Sequence, residues 1–590
     1  MRRANWTLAA LALAVLGCKG PPPTSTGAIA NEPNRLYWGD THVHTSYSPD
    51  AYFLQNRSAD PNTAYRWAKG LPVVHPYTEA KVQIDTPLDF LVVADHAEML
   101  GVPRKLMAGD PSVANTATGK KWIQMIKDGR GAEVFEHEFG RAVNANTAIT
   151  DFETDEIKRA AWGETIEAAV DHYEPCAFTS FIGWEWTSTP NGNNLHRVVF
   201  MNKGKEQALQ FTPFSSFDSA KPEDLWAWLE ETSQRAGTDF VAIPHNSNIS
   251  GGMMFDEVDS DGRPITVEYA RMRMRWEPVT EVTQIKGDSE THPVLSPNDE
   301  FADFETFSHL LKVGGGEAEV SEGDYVRTAL LRGLQIKQEV GANPYKFGMI
   351  GSTDSHTGLA SAEEFNFWGK TAMDSTPEST FMAWAGEMKG SDMSAQGLAA
   401  VWTEENTRTS IFAAFKRKEV YATTGPRIRV RFFGGWGFKS KNAQSAAMVK
   451  TGYTLGHPMG SDLTKAPEGK APGFLMYAVK DPKGADLDRI QVIKGWVDAD
   501  GQTHEKIQDV VWSGNRERGE DGKVPPVINS VDLTTAKYQD IGGAPTLSGF
   551  WSDPDFDPEE RAFYYMRVLQ IPTPRHTLQD AVALGMDPNE

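Results

Sequence analysis

The feature that most constrains this chain is a design repeated at the ends of apolar runs. His42-Val-His44 follows Leu36-Tyr37-Trp38, Asp95-His96 follows Phe90-Leu-Val-Val93, and Glu185 follows residues 178–182 with His196 behind it. Pro244-His245-Asn246 follows residues 240–243, and Asp354-Ser-His356 follows residues 347–350. Alternate residues of an extended strand face the same side, so a His-x-His or Asp-x-His pair delivers two donors into one pocket. Ligands at the C-terminal ends of successive strands are how a β/α barrel assembles its site. A solitary histidine is ordinarily a satisfied core or surface residue. Repetition turns these into candidate ligands of one polynuclear metal site. Imidazole and carboxylate without thiolate suit zinc, manganese or iron, and differ from a Cys-rich structural zinc centre.

From about residue 35 to 430 apolar runs alternate with helical stretches, the pattern of an α/β domain. Residues 222–235 place Leu225, Trp226 and Leu229 on one helical face behind Pro222. Residues 325–337 do the same with Val326, Ala329, Leu330 and Leu334, so both are predicted packing helices. Two stretches are too long for plain βα connections and are predicted insertions, about 51–85 and 101–174. The second is charged and helical, and its His137 and His172 read as surface residues. After Tyr421-Ala-Thr-Thr-Gly-Pro-Arg427 the texture turns to short β-rich runs broken by Gly, Asp and Pro. That spacing predicts an all-β, sandwich-like domain over 431–590.

A net charge of −22 argues against binding to a phosphate backbone, and no nucleic-acid partner is expected. Arg2, Arg3 and the apolar stretch Leu8 to Leu16 before Gly17-Cys18 read as an export signal over residues 1–18. Val-Leu-Gly-Cys resembles a bacterial lipobox, and the apolar run is short for a bilayer span. Residues 19–34, with Gly20-Pro-Pro-Pro, read as a tether. The expected location is therefore the bacterial cell envelope, with the membrane engaged through a lipid on Cys18. The alternative is an ordinary cleaved signal and a secreted or periplasmic soluble chain.

Taken in order, the motifs resemble those of the PHP superfamily, named for polymerase and histidinol phosphatase domains, and in particular an uncharacterised branch of exported bacterial proteins. Tyr421-Ala-Thr-Thr-Gly-Pro426, Asp553-Pro-Asp-Phe-Asp-Pro558 and Ile571-Pro-Thr-Pro574 belong to the same likeness. The resemblance implies a distorted (β/α)7 barrel with helical insertions and up to three metal ions. It also implies a ligand set: His42 and His44, the carboxylate Asp50 that follows them, His96, Glu185, His196, His245, and the closing Asp354 and His356. Asp50 has the alternative of capping a turn beside Pro49. His196 has the alternative of starting the strand that continues Val198-Val-Phe200. Glu185 stands among aromatic residues, where an unpaired carboxylate is costly and a metal partner is the economical explanation. The long insertions and the added β segment depart from the family pattern and leave the substrate open.

Glu281-Val-Thr-Gln-Ile-Lys286-Gly reads as another strand emptying into the loop that carries His292. Lys286 is a candidate to hold a substrate phosphate as a point charge and His292 to protonate the leaving group, with Asp354 acting in catalysis as well as ligation. Solvated loop charges are the alternative for Lys286 and His292. Arg408 and Arg427 are further candidates, and Asp553 to Asp557 read either as a calcium site or as a Pro-rich turn. The activity expected is hydrolysis of a small-molecule phosphate ester by a metal-bridging hydroxide at a di- or trinuclear site. An amidohydrolase-like enzyme cleaving C–N or C–O bonds, and a noncatalytic ligand-binding surface lipoprotein, are the other readings. Because every ligand motif precedes residue 357, the β segment is expected to bear on substrate choice or stability more than on chemistry.

Overall fold

Strand Arg35–Val43 organises the sheet that carries the first motif. It pairs antiparallel with Leu398–Thr403 and parallel with Phe90–Val93, which lies parallel to Thr179–Phe181, while Val420–Thr423 forms the far edge. The computed structural model describes residues 33–311, 315–385, 388–394, 396–520 and 522–587. The expected signal segment, Cys18 and residues 19–32 of the tether lie outside the described residues.

Phe90-Leu-Val-Val93 is buried throughout, as a parallel strand covered on both faces must be. Register slips between Asp40 and Val43, and beyond the irregularity the His44 N–H leaves the ladder to donate to Ser355 O at 2.8 Å. Two smaller sheets flank this one. Gly183–Trp186, Arg197–Met201 and Phe240–Pro244 form an antiparallel set, and Val279–Gln284 runs parallel to Gly348–Gly351 and antiparallel to Gly287–Asp288. None of these sheets is closed. Isolated bridges nevertheless join them where the motifs sit, Val43 to Ser355 and His96 to Glu185. One apolar cluster draws on all three sheets through Phe90, Phe181, Phe200, Ile243, Val279 and Ile350.

The predicted packing helices are Pro222–Ala236 and Val326–Val340, each ended by a left-handed glycine, Gly237 at φ 66° and Gly341 at φ 92°. The stretch 101–174 is helical, with Val102–Met107, Ala117–Lys127 and Asp155–Asp171 around Leu106, Trp122, Phe139 and Phe152. The stretch 51–85 contains helix Pro61–Ala68, whose Trp67 donates to Ala360 O at 2.8 Å.

Two antiparallel sheets build the C-terminal part. One orders His457–Pro458, Arg429–Gly435, Gly473–Val479 and Thr546–Ser552; the other orders Thr503–Trp512, Leu487–Val497 and Arg561–Gln570. Phe432, Phe474 and Leu547 of the first meet Leu487, Ile490 and Val492 of the second in one core. The segment is not all-β. Helices Met448–Leu455 and His576–Leu584 belong to it, and the first packs closely because Gly452 lacks a Cβ, which would stand 2.5 Å from the Phe433 ring. Asp553 is neutralised by Lys494 at 2.7 Å and bonded by the Tyr564 hydroxyl at 2.6 Å, which accounts for it as a buried anchor of a turn.

Candidate metal centre

The strand ends deliver their motif side chains to one buried place. His42 is the last residue but one of the first strand and His44 follows it; Asp95-His96 follows Phe90–Val93, Glu185 lies in Gly183–Trp186, and His245 follows Phe240–Pro244. His196 directly precedes Arg197–Met201, which runs antiparallel to the Glu185 strand, so starting a strand and facing the site are one placement. Asp354 and His356 follow Gly348–Gly351, with Asp354 itself left-handed at φ 55°. All of these are buried; Asp50, on the short helix Pro49–Phe53, is the most open, its side chain 20% exposed.

Donor atoms fall into three groups, His42 with His44 and Glu185, His44 with His96 and His356, and Glu185 with His196 and His245. In the first, His42 Nε2 and His44 Nε2 are 3.1 Å apart; Glu185 Oε2 lies 3.3 and 3.1 Å from them, and Asp354 Oδ1 3.4 and 3.3 Å. A tetrahedral ion with bonds of about 2.0–2.1 Å requires ligand–ligand edges of about 3.3–3.4 Å. The spacings of His42, His44 and Glu185 approach those edges, and Asp354 Oδ1 stands at the same range from both imidazoles, so this donor set suits a transition-metal ion. In the second group Asp50 Oδ2 stands 3.2 Å from His96 Nε2 and 2.7 Å from His356 Nε2. In the third, Glu185 Oε1 approaches His196 Nδ1 to 2.7 Å and His245 Nε2 to 3.2 Å, yet this buried oxygen makes no hydrogen bond of proper geometry. Glu185 thus turns one oxygen to the first group and the other to the third.

Each imidazole has its remaining nitrogen tied down. His42 Nδ1 meets Glu281 Oε2 at 3.2 Å, His44 Nδ1 the Ser48 hydroxyl at 2.8 Å, and His96 Nδ1 the Thr187 hydroxyl at 2.6 Å. His196 Nε2 meets the Thr189 hydroxyl at 2.8 Å, while His245 Nδ1 faces Ile243 O at 3.3 Å and His356 Nδ1 faces Asp354 O at 3.1 Å. Such outer partners fix ring orientation and tautomer in metal-binding histidines. Burial drives His42 well down, His196 to about 4 and His356 to about 3, against the pull of neighbouring carboxylates. Those rings are neutral near pH 7, as ligation needs. His44 and His96 differ: burial pushes both down, but hydrogen bonds to Asp354 and Glu185 hold His44 above its ordinary value, and Glu185 and Asp50 hold His96 up at about 10.

Two lysines grip Asp354. Lys286 Nζ contacts Oδ2, and Lys370 Nζ lies 2.8 Å from Oδ1 and 2.9 Å from His356 Nδ1. Burial opposes ionisation of Asp354, yet Lys286 and Lys370 hold it well below the usual carboxylate range. Lys286 is 6% exposed, which removes the solvated-charge alternative for it. His292 is not among the residues the three groups bring together. Its imidazole lies against the Tyr325 ring, centroids 5.6 Å apart, and its Nδ1 accepts from Val294 N at 3.2 Å, because the loop after Gly287–Asp288 turns back on itself. Its described contacts lie outside the three groups. Arg408 is spent on the carbonyls of Ser180 and Ala169, and Arg427 on those of Thr86 and Pro87.

Glu281, Gln284 and Lys370 join the site without having been singled out from the sequence. Glu281 and Gln284 are polar residues inside a wholly buried strand, a signal that was readable; Lys370 follows Trp368-Gly369 in a loop that carries no periodicity. Among the described residues no helix is long and apolar enough to cross a membrane. The chain belongs to the family described as Protein of unknown function (DUF3604), which its residues 31–590 match. No curated protein and no solved structure matches it.

Proposed function

We propose that this member of a family of unknown function is an exported, metal-dependent hydrolase of the PHP type, acting on phosphate esters. The observation that carries the reading is the set of imidazoles, each bonded outward through one nitrogen and facing Glu185, Asp354 or Asp50 through the other. A set built for structure alone has no use for adjacent Nε2 atoms 3.1 Å apart. His42, His44, Glu185 and Asp354 would hold one ion, Asp50, His96 and His356 a second, and Glu185, His196 and His245 a third. The bridges Val43–Ser355 and His96–Glu185, with an apolar cluster shared by all three sheets, support reading the sheets as one distorted (β/α)7 barrel.

Divalent zinc, manganese or iron held there would supply Lewis acidity toward substrate oxygens and toward an attacking water. The chain's own residues do the rest. Asp354, gripped by Lys286 and by Gln284 Nε2 at 2.7 Å, orients that water. Lys286 places a positive charge for the nonbridging oxygens of a phosphoryl group. The buried walls exclude bulk solvent, and the more open Asp50 side is the way in. Lipid attachment at Cys18 would keep this activity at the cell envelope.

The test is turnover by the metal-loaded full chain on nitrophenyl phosphate mono- and diesters, carboxylic esters and amides. Phosphoester cleavage abolished by a chelator and restored by metal is expected, and Lys286→Ala should lower it by about tenfold or more. Efficient amide or lactone cleavage without phosphoester turnover would transfer the assignment to amidohydrolase chemistry. A metal-loaded chain inert toward every class would leave a ligand-binding surface protein.

A further inference from the structure

Asn246, directly after His245, is left-handed at φ 49° and 1% exposed. Its amide has no freedom to turn. Lys286 N–H donates to Gln284 Oε1, so Gln284 Nε2 faces the other way and donates to Asn246 Oδ1 at 2.6 Å and Asp354 Oδ2 at 2.7 Å. An amide nitrogen does not accept, so the Asn246 atom facing Gln284 is its oxygen. Nδ2 is thereby directed elsewhere. It is buried and has no hydrogen-bond partner among the described residues, and the same is true of Ser247 Oγ. An unmade bond at a buried donor is a cost that a ligand would relieve, while the left-handed backbone is one that asparagine accepts and that fixes where its amide stands. That unmet donor lies between the proposed ligand His245 and an amide that also holds Asp354.

We propose that Asn246 Nδ2, assisted by the Ser247 hydroxyl, donates to a nonbridging oxygen of the substrate's phosphoryl group, which makes Asn246 a catalytic residue of the hydrolysis. The assignment rests on the phosphoesterase reading. It adds a neutral, directional donor to the charge of Lys286, an oxyanion-hole arrangement set before substrate arrives by the bond from the Lys286 backbone to Gln284 and the bond from Gln284 to Asn246. The ligand class is a tetrahedral oxyanion.

Asn246→Asp keeps an oxygen for Gln284 but replaces the donor by a charged acceptor, and Asn246→Ala removes the donor without adding charge, so a loss shared by the two isolates the donor. The full chain, loaded with manganese, would be titrated with inorganic phosphate by calorimetry, with metal content measured on each sample and turnover alongside. Both variants should keep wild-type metal content and bind phosphate roughly tenfold or more weakly, with kcat falling in parallel. Ser247→Ala should show a smaller loss in the same direction. Phosphate affinity equal to wild type in Asn246→Asp overturns the assignment while leaving the phosphoesterase reading in place. Loss of metal from both variants also overturns it, by making Asn246 a support of His245. A wild-type chain that neither binds phosphate nor cleaves phosphoesters brings down the functional reading, and this assignment with it.

Discussion

Glu281 shows what a single residue contributes without touching an ion. Its carboxyl is fully buried, and burial together with Asp354 and Asp40 pushes its proton affinity well above the ordinary range. Oε2 stands 3.2 Å from His42 Nδ1, so the group fixes the ring whose Nε2 faces His44 and Glu185. Glu281→Ala should therefore weaken metal binding by roughly 10–100-fold and turnover accordingly, the scale of an outer partner of a ligating histidine. Competition against a calibrated chelator, with far-UV circular dichroism as a fold check, measures it. Unchanged affinity would remove Glu281 from the support of His42. His42→Ala and Asp354→Asn act on the proposed ligands themselves and should abolish turnover and lower metal content with the dichroism spectrum largely retained; full activity in either would remove that residue from the centre.

At the scale of elements, helices Pro222–Ala236 and Val267–Trp276 and strand Arg197–Met201 meet on one carboxylate. Glu277, 1% exposed, receives Arg197 Nε at 2.9 Å and Trp226 Nε1 at 2.8 Å, with Arg273 Nε at 3.0 Å. Both guanidiniums are buried. Removing one partner of such a group strands uncompensated charge, so Glu277→Ala should destabilise by about 3–5 kcal/mol in urea unfolding. A change under 1 kcal/mol, on the order of a surface pair, would show that the guanidiniums find other acceptors. Elements differ in how much of this the sequence displays. The x-spaced pairs are legible as motifs at the ends of apolar runs, but strand period does not place them: His44, Asp354 and His356 lie past the ends of their strands, and Asp354 is left-handed. Pro222 and Gly237 mark a helix by backbone chemistry alone. Glu277 and Lys370 are invisible beforehand because their partners, Arg197 and Asp354, are set by tertiary packing rather than local pattern. His292 shows the opposite case: its chemistry is legible, but its place against the Tyr325 ring is set by a turn that no local pattern displays. Helix Met448–Leu455 is hidden in a region whose apolar runs otherwise read as strands.

For the whole molecule, a buried ionic network ties the β-rich segment to the part that carries the candidate metal centre, a contact that bears on stability. Arg327, in helix Val326–Val340, reaches Glu290 at 2.6 Å, Asp299 at 2.7 Å and Glu505 at 3.4 Å; Arg567 reaches Asp299 at 2.7 Å, and the Tyr565 hydroxyl donates to Glu290 at 2.6 Å. At the other end, Asp580 accepts from Thr380 at 2.9 Å and Glu364 accepts from His576 N at 2.7 Å, bracing the neighbourhood of the loop that presents Lys370. A chain ending near Phe433 would leave Asp299 and Glu290 without Arg567 and uncover Tyr345, Val326 and their apolar neighbours, on which Phe563 and Tyr565 pack. It should be insoluble or, where recovered, unable to hold metal; a soluble, metallated and active fragment would restore the separable-domain picture. The network also sets a pH response. Burial raises the Asp299 carboxyl, but the hydrogen bonds and charges of Arg567 and Arg327 prevail and hold it at about 2. The unfolded chain titrates nearer the ordinary 3.8, so the stabilisation is fully present above that value and is lost as pH falls toward 2. Acid unfolding of the full chain should therefore steepen between those limits. Asp299→Asn, which never carries the charge, should be less stable at neutral pH and show a shallower acid limb; identical acid limbs in the two proteins would assign the response to other carboxylates and leave the ionic network a bystander of the interface.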